Sequence, residues 1–163
     1  MSYEEIYKSK LMTADEAVAA HIKSGDKIWL GGLSVADKVL SCVIEKVKQG
    51  ALENIDFYGN MTMDDIGLAD KDIPADKFRY HAFFYGGYER EGCKNGVVTN
   101  VPLHLSRFED YVSYIDPDVA VVPMTPPNEQ GFCNIGPAGY SPSGLNHAKK
   151  IIAQINKNIP RVY

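Results

Sequence analysis

The sequence predicts an α/β domain, a largely parallel sheet with helices on both faces. Two observations carry this expectation. Segments whose apolar residues recur at helical spacing alternate along the chain with short runs that read as strands. Those strands are too uniformly apolar for a sheet with one wet face. In "DVAVVP", Val119, Ala120, Val121 and Val122 form the near-continuous run expected where both faces are covered.

The elements follow in order. In "TADEAVAAHIKSGDKIWLGG", Thr13 and Glu16 make a capping box, Ala17, Val18, Ala20 and His21 give a soft helical face, and Gly25 supplies a stop. "KIWLGG" reads as a short buried strand. Ser34 and Asp37 are candidate caps for a helix whose Val39, Leu40, Val43, Ile44 and Val47 recur until Gly50. "NIDFYGN" and "RYHAFFYGG" read as a second and a third strand, and "PLHLSRFEDYVSYI" as helical. After the strong strand at 118–123, Ser141 and Pro142 start a last helix expected to run through Asn156. The stretch 59–77 shows the least order, and no repeat or low-complexity tract interrupts the chain.

The totals narrow the function. A chain of 163 residues, 45% hydrophobic and 23% charged, suits one globular domain with a full core. With a net charge of −4 and no run of basic residues longer than a pair, the sequence lacks the basic face that nucleic acid requires. No apolar stretch approaches a membrane span, and "MSYEEIYKSK" lacks the layout of a signal peptide, so a cytoplasmic protein is expected. Cys42, Cys93 and Cys133 are scattered and unpaired in spacing, which suits reduced thiols. His21, His81, His104 and His147 show no metal-ligand spacing, and no metal is expected.

Ligands of open α/β sheets collect beyond the carboxyl ends of the strands. Here those exits are "LGGLS", "YGNMT", "FYGGYEREG" and "MTPPNEQG", each carrying glycine beside hydroxyl, amide or carboxylate groups. The candidate substrate-binding positions are therefore Gly31, Gly32, Asn60, Thr62, Gly86, Thr125, Pro126, Pro127, Gly131, Asn134 and Gly136. In the last loop, prolines fix the path, and Gly131 and Gly136 permit close approach or positive φ. Thr125 and Asn134 are the expected hydrogen-bonding groups for a substrate carboxylate or acyl carbonyl.

Other motifs carry less. "GGLS" matches neither a dinucleotide fingerprint nor a phosphate loop and reads first as a tight turn, although the following helix N-terminus could hold an anion. Glu89 and Glu91 in "YEREG" fall on opposite sides of an extended segment and read as solvated surface groups beside Arg90 and Lys94. His104 and Ser106 have no acidic orienter nearby. No catalytic residue stands out.

"DVAVVPMTPPNEQGFCNIG" resembles a signature of the acetyl-CoA hydrolase/transferase family, which includes 4-hydroxybutyrate and butyryl-CoA:acetate CoA-transferases. "MTADEAVAAHIKSGDKIWLGG", "NGVVTNVPLHLSRFEDYV" and "HAKKIIAQINKNIPRVY" are similar to successive stretches of the same N-terminal half, so the likeness spans nearly the whole chain. Two departures stand out. Asn128 and Gln130 occupy places where relatives often carry Asp and His, and "GGLSVAD" lacks a proline common after the first strand.

The resemblance implies a CoA-transferase-like domain, residues 1–163, forming the N-terminal half of a two-domain enzyme. It implies ping-pong exchange of CoA between an acyl-CoA and a small carboxylic acid through a glutamate of the other half. Coenzyme A is then a substrate, with no covalently bound cofactor, and the fragment alone is expected to be inactive. The implied partners are acyl-CoA, a small carboxylate, the C-terminal domain and, for the whole enzyme, a second copy. The alternative from another class is a stand-alone domain that binds acyl-CoA or a small anion without catalysis. A sugar-phosphate isomerase or deaminase fits less well, because no acidic and basic cluster follows one strand. An apolar face with Phe132, Tyr85 and Tyr88 is expected where the other domain docks.

Overall fold

The computed structural model describes residues 2–32, 35–136 and 141–162. Six strands form one sheet in the order β4-β3-β2-β1-β5-β6: β1 Lys27–Trp29, β2 Ile55–Gly59, β3 Phe78–Ala82, β4 Val98–Asn100, β5 Val119–Met124 and β6 Lys150–Ile155. Every pairing is parallel. The expected α/β class, with a parallel sheet, is what the chain adopts.

The helices are α1 Tyr3–Lys10, α2 Ala14–His21, α3 Asp37–Lys48, α4 Gly87–Lys94, α5 Phe108–Ile115 and α6 Ser141–His147, with a 3₁₀ turn at Leu105–Arg107. Alternate strand residues feed two cores. Ile28, Leu30, Phe57, Tyr80, Val119 and Val121 join α2 and α3 on one face. Trp29 and Ala120 join Phe83, Phe108 and Val112 on the other. That two-sided burial makes the strands read as unbroken apolar runs. On the outer part of the second face a polar row replaces the core. There His81 Nε2 lies 2.8 Å from Asp56 Oδ1, and the His81 ring stacks on Tyr58 at 4.5 Å.

Thr13 and Glu16 form the expected capping box of α2. Ser2 and Glu5 form a second one on α1, a helix that buries none of its residues and that apolar periodicity could not reveal. Between β2 and β3 no regular element forms, yet Ile66, Leu68 and Ile73 are buried and anchor the crossing. β4 is short and half-polar and carries no strand signal in the sequence.

Three local expectations are corrected. "YEREG" is not an extended loop but part of α4, which lies so close to β4 that a Cβ on Gly92 would come within 2.5 Å of Val98 Cγ2. The last helix stops at His147, and the chain turns into β6, whose six residues all pair with β5. Helical spacing in "AKKIIAQIN" lost to an available parallel edge. Asp37 does not cap α3 either. Gln154 of β6 does so, its Oε1 accepting from the Lys38 and Val39 amides at 3.0 and 3.2 Å while its Nε2 donates to Asp37 Oδ1 at 2.6 Å. Ser34, the other expected cap, lies outside the described residues.

Candidate functional site

The chain runs outward from β1 through β2 and β3 to β4, then returns to place β5 on the other side of β1. The strand order therefore reverses at the β1/β5 boundary, the switch point at which open α/β sheets bind ligands. Gly31 and Gly32 leave β1 there, both buried, with Gly31 at φ 77°. The β2 and β3 exits lie to one side and the β5 exit to the other.

On the β2/β3 side the exits are tied together. Glu89 is 0% exposed. Its Oε1 accepts from the Thr62 amide at 2.6 Å and the Thr62 hydroxyl at 2.9 Å, and its Oε2 accepts from the Gly86 amide at 2.8 Å. Gly86 is the N-cap of α4, and a Cβ there would meet Glu89 Oε2 at 2.8 Å and Met61 Cβ at 3.3 Å. The Asn60 carbonyl accepts from the Tyr80 hydroxyl. Burial, with the Glu89 charge adding to it, raises the Tyr80 phenol well above its ordinary value and keeps that donor proton in place. Asn60 itself is 6% exposed, and its Nδ2 has no hydrogen-bond partner among the described residues. A buried amide without a partner is rare enough to need a reason. Nearby, burial followed by a hydrogen bond with Cys93 pushes Tyr85 up to about 12.

The β5 exit is organised differently. Thr125 is buried. Its amide donates to the Asn134 carbonyl at 2.9 Å, its Oγ1 accepts from the Asn134 amide at 3.0 Å, and its hydroxyl donates to the Pro126 carbonyl at 3.0 Å. Asn134 Nδ2 donates to the Val162 carbonyl and its Oδ1 accepts from the Gly136 amide, both at 2.7 Å. Arg161 Nη2 reaches the Pro126 carbonyl at 2.7 Å. Asn128 folds the tip by accepting from the Gln130 and Phe132 amides. Between this loop and α1 runs an open groove of ≈ 810 Å³ lined by Tyr3, Tyr7, Lys8, Pro126, Pro127 and Glu129. It lies beside the strand ends, not over the switch point.

Gly131 and Gly136 sit at φ 85° and 64°, as their place in a proline-fixed loop suggested. The substrate hydrogen bonds expected of Thr125 and Asn134 meet side chains already engaged within the chain. The surface role expected for Glu89 is overturned, because its helix turns it under the β2 exit. Glu91 does stay outside, paired with Lys94 at 2.7 Å. Two of the α3 amides that could have held an anion after "GGLS" are taken by Gln154. One available signal for Glu89 was its place three residues after Gly86, the N3 position at which glutamate reaches back to an N-cap amide.

Of the three residues expected in an exposed patch, Phe132 is exposed, whereas Tyr85 and Tyr88 are half-buried and pack partly against the main core. Met63, Phe84, Leu105 and Phe132, following β2, β3, β4 and β5, are 62%, 66%, 56% and 68% exposed. Among the described residues, no group of three or more His, Cys, Asp or Glu side chains could hold a metal, and no helix is long and apolar enough to cross a membrane.

The family model for the acetyl-CoA hydrolase/transferase N-terminal domain matches residues 1–163. The chain is 37% identical over 164 residues to the butyryl-CoA:acetate CoA-transferase of Anaerostipes caccae, covering 99% of this chain and 36% of that protein. It is 29% identical to the 4-hydroxybutyrate coenzyme A transferase of Clostridium kluyveri, covering 99% and 38%. Its fold matches that of RipA from Yersinia pestis with a TM-score of 0.86 at 20% identity, covering 99% of this chain and 40% of the other. The chain belongs to the acetyl-CoA hydrolase/transferase family as its N-terminal domain, and spans little more than a third of the length of these relatives.

Proposed function

We propose that residues 1–163 form the N-terminal domain of a CoA-transferase that exchanges CoA between an acyl-CoA and a small carboxylic acid of the butyrate, 4-hydroxybutyrate or acetate class. The observation that carries this reading is the 37% identity with a butyryl-CoA:acetate CoA-transferase over 99% of the chain. Coenzyme A enters as a substrate, without a covalently held cofactor. In the whole enzyme, a glutamate of the C-terminal half attacks the thioester carbonyl and expels CoA thiolate. The thiolate then attacks the resulting anhydride at the glutamyl carbonyl and releases the original acyl group as its acid. The acceptor carboxylate displaces CoA by the same two steps in reverse.

The part of this domain is to wall the cleft and exclude water at the switch point. Asn60 supplies a hydrogen-bond donor for an acyl or carboxylate oxygen, Gly31, Gly32 and Gly86 allow close backbone approach, and the Thr125–Gly136 loop forms the opposite wall. The C-terminal half docks over the strand exits, where Met63, Phe84, Leu105 and Phe132 offer an apolar rim. The enzyme works in the cytoplasm as a homo-oligomer.

The purified 163-residue chain is the direct test. Incubated with butyryl-CoA and acetate, it is expected to form no acetyl-CoA, whereas the whole protein with its C-terminal half does. Turnover by the fragment overturns the division of labour. Tight binding of butyryl-CoA with no turnover in the whole protein favours a binding domain instead.

A further inference from the structure

We propose that Glu89 is a positioning residue of the candidate site, a buried strut that locks the β2 exit to the β3 exit and so holds Asn60 toward the cleft. The inference rests on the reading of those exits as a site wall. A glutamate that only capped α4 would lie at the helix surface and bond the Gly86 amide alone. Glu89 is instead 0% exposed, and its second oxygen reaches across 27 residues of sequence to Thr62. Burying a carboxylate is costly unless donors surround it. Here three donors do, two of them backbone amides that no substitution at Thr62 or Gly86 removes unless it introduces proline.

The consequence falls on the residues between. Asn60 has its carbonyl held by Tyr80, and Thr62 has its amide held by Glu89, so the three-residue bend 60–62 is fixed from both ends. Within it, Asn60 Nδ2 is a buried donor without a partner among the described residues. A donor kept so, in a bend held so firmly, suits an incoming oxygen of an acyl group or carboxylate. The strut also requires a carboxylate. Glutamine has one acceptor oxygen, and its amide nitrogen would face either the Thr62 donors or the Gly86 amide, releasing one of the two loops.

The experiment is amide hydrogen exchange and side-chain NMR on the 163-residue chain and its Glu89→Gln variant. In the wild type, the Thr62 and Gly86 amides are expected to exchange slowly. In Glu89→Gln, at least one of the two should exchange about tenfold or more faster while core strand amides stay protected. Rapid exchange of both amides in the wild type overturns the strut without need of a variant, so a variant that fails to fold does not shield the proposal.

Butyrate is the ligand probe. It should shift the Asn60 side-chain amide signals in the wild type, and at least about tenfold more butyrate should be needed in Glu89→Gln. Val112→Ala, which destabilises the other core, should leave that response unchanged. Equal responses in wild type and Glu89→Gln overturn the positioning role. No response in the wild type overturns the underlying site reading, while amide exchange still decides the strut.

Discussion

The two walls of the candidate cleft meet the same requirement, an irregular backbone held still beside the sheet, by opposite means. At the β2 and β3 exits a single wholly buried carboxylate collects donors from two loops that are distant in sequence. At the β5 exit the loop closes on itself through Thr125, Asn128 and Asn134, with help from the tail at Arg161 and Val162. The first wall depends on one charge in a dry place, where removing the acceptor strands its donors. The second spreads its ties over several groups, neutral apart from Arg161 and partly wet apart from Thr125, where water replaces much of what a substitution removes. Damage should therefore be concentrated on one side and shared on the other.

The strongest test of that contrast is Glu89→Ala. It leaves two backbone amides and a hydroxyl without an acceptor and opens a void under the β2 exit. We expect a loss of about 3 kcal/mol, read as a lower urea midpoint. A loss within about 0.5 kcal/mol, the range of ordinary surface changes, would remove the distinction between the walls.

Next in size is Thr125→Val, which keeps the shape and deletes the hydroxyl. Thr125 is the most buried member of the second wall, and its Oγ1 serves the Asn134 amide and the Pro126 carbonyl. A loss of about 2 kcal/mol is expected. If it equals or exceeds that of Glu89→Ala, the β5 wall is as concentrated as the other and the comparison fails.

The same contrast explains what could be read from the sequence. Gly131 and Gly136 were legible because a loop stiffened by Pro126 and Pro127 leaves few other residues able to turn. Val119 to Val122 were legible because burial on two faces writes itself as an unbroken apolar run. Glu89 is hidden in the sequence because its role depends on a donor at Thr62 that only the fold brings near, and because Tyr88, Arg90 and Glu91 around it look like surface. β6 reads as helix because Ile151, Ile152 and Ile155 fit helical spacing, whereas the open edge of β5 that captures them is a tertiary fact. Gln154 could not be recognised as the cap of α3 for the same reason, lying more than a hundred residues away in sequence.

Asn134→Ala refines the second wall. The residue is half-buried, and both its polar atoms are bonded at 2.7 Å, one to the Val162 carbonyl and one to the Gly136 amide. Its Oδ1 also accepts from the Val162 amide at 3.4 Å, and an expected cost of about 1.5 kcal/mol follows from these neutral bonds partly replaced by water. In the whole enzyme, kcat/KM should fall only as far as the tail and loop loosen. A drop of about tenfold or more with an unchanged melting temperature would show that Asn134 leaves Val162 to bind substrate.

The smallest effect belongs to Gly131→Ala, and its cause can be divided. Gly131 lies at φ 85°, where any side chain is strained, and a Cβ there would meet Tyr3 Cδ1 at 2.7 Å. The two causes predict different rescues. Tyr3 is 58% exposed on α1, a helix that buries none of its own residues, so the ring can swing aside at little cost. The backbone has no such freedom, since Gly131 closes the tip through its amide to the Asn128 carbonyl at 2.9 Å. Strain should therefore dominate, at about 1 kcal/mol. Adding Tyr3→Ala to Gly131→Ala should recover almost none of that loss in thermal melts. Full recovery would place the cost in the α1 contact and make that helix an integral part of the second wall.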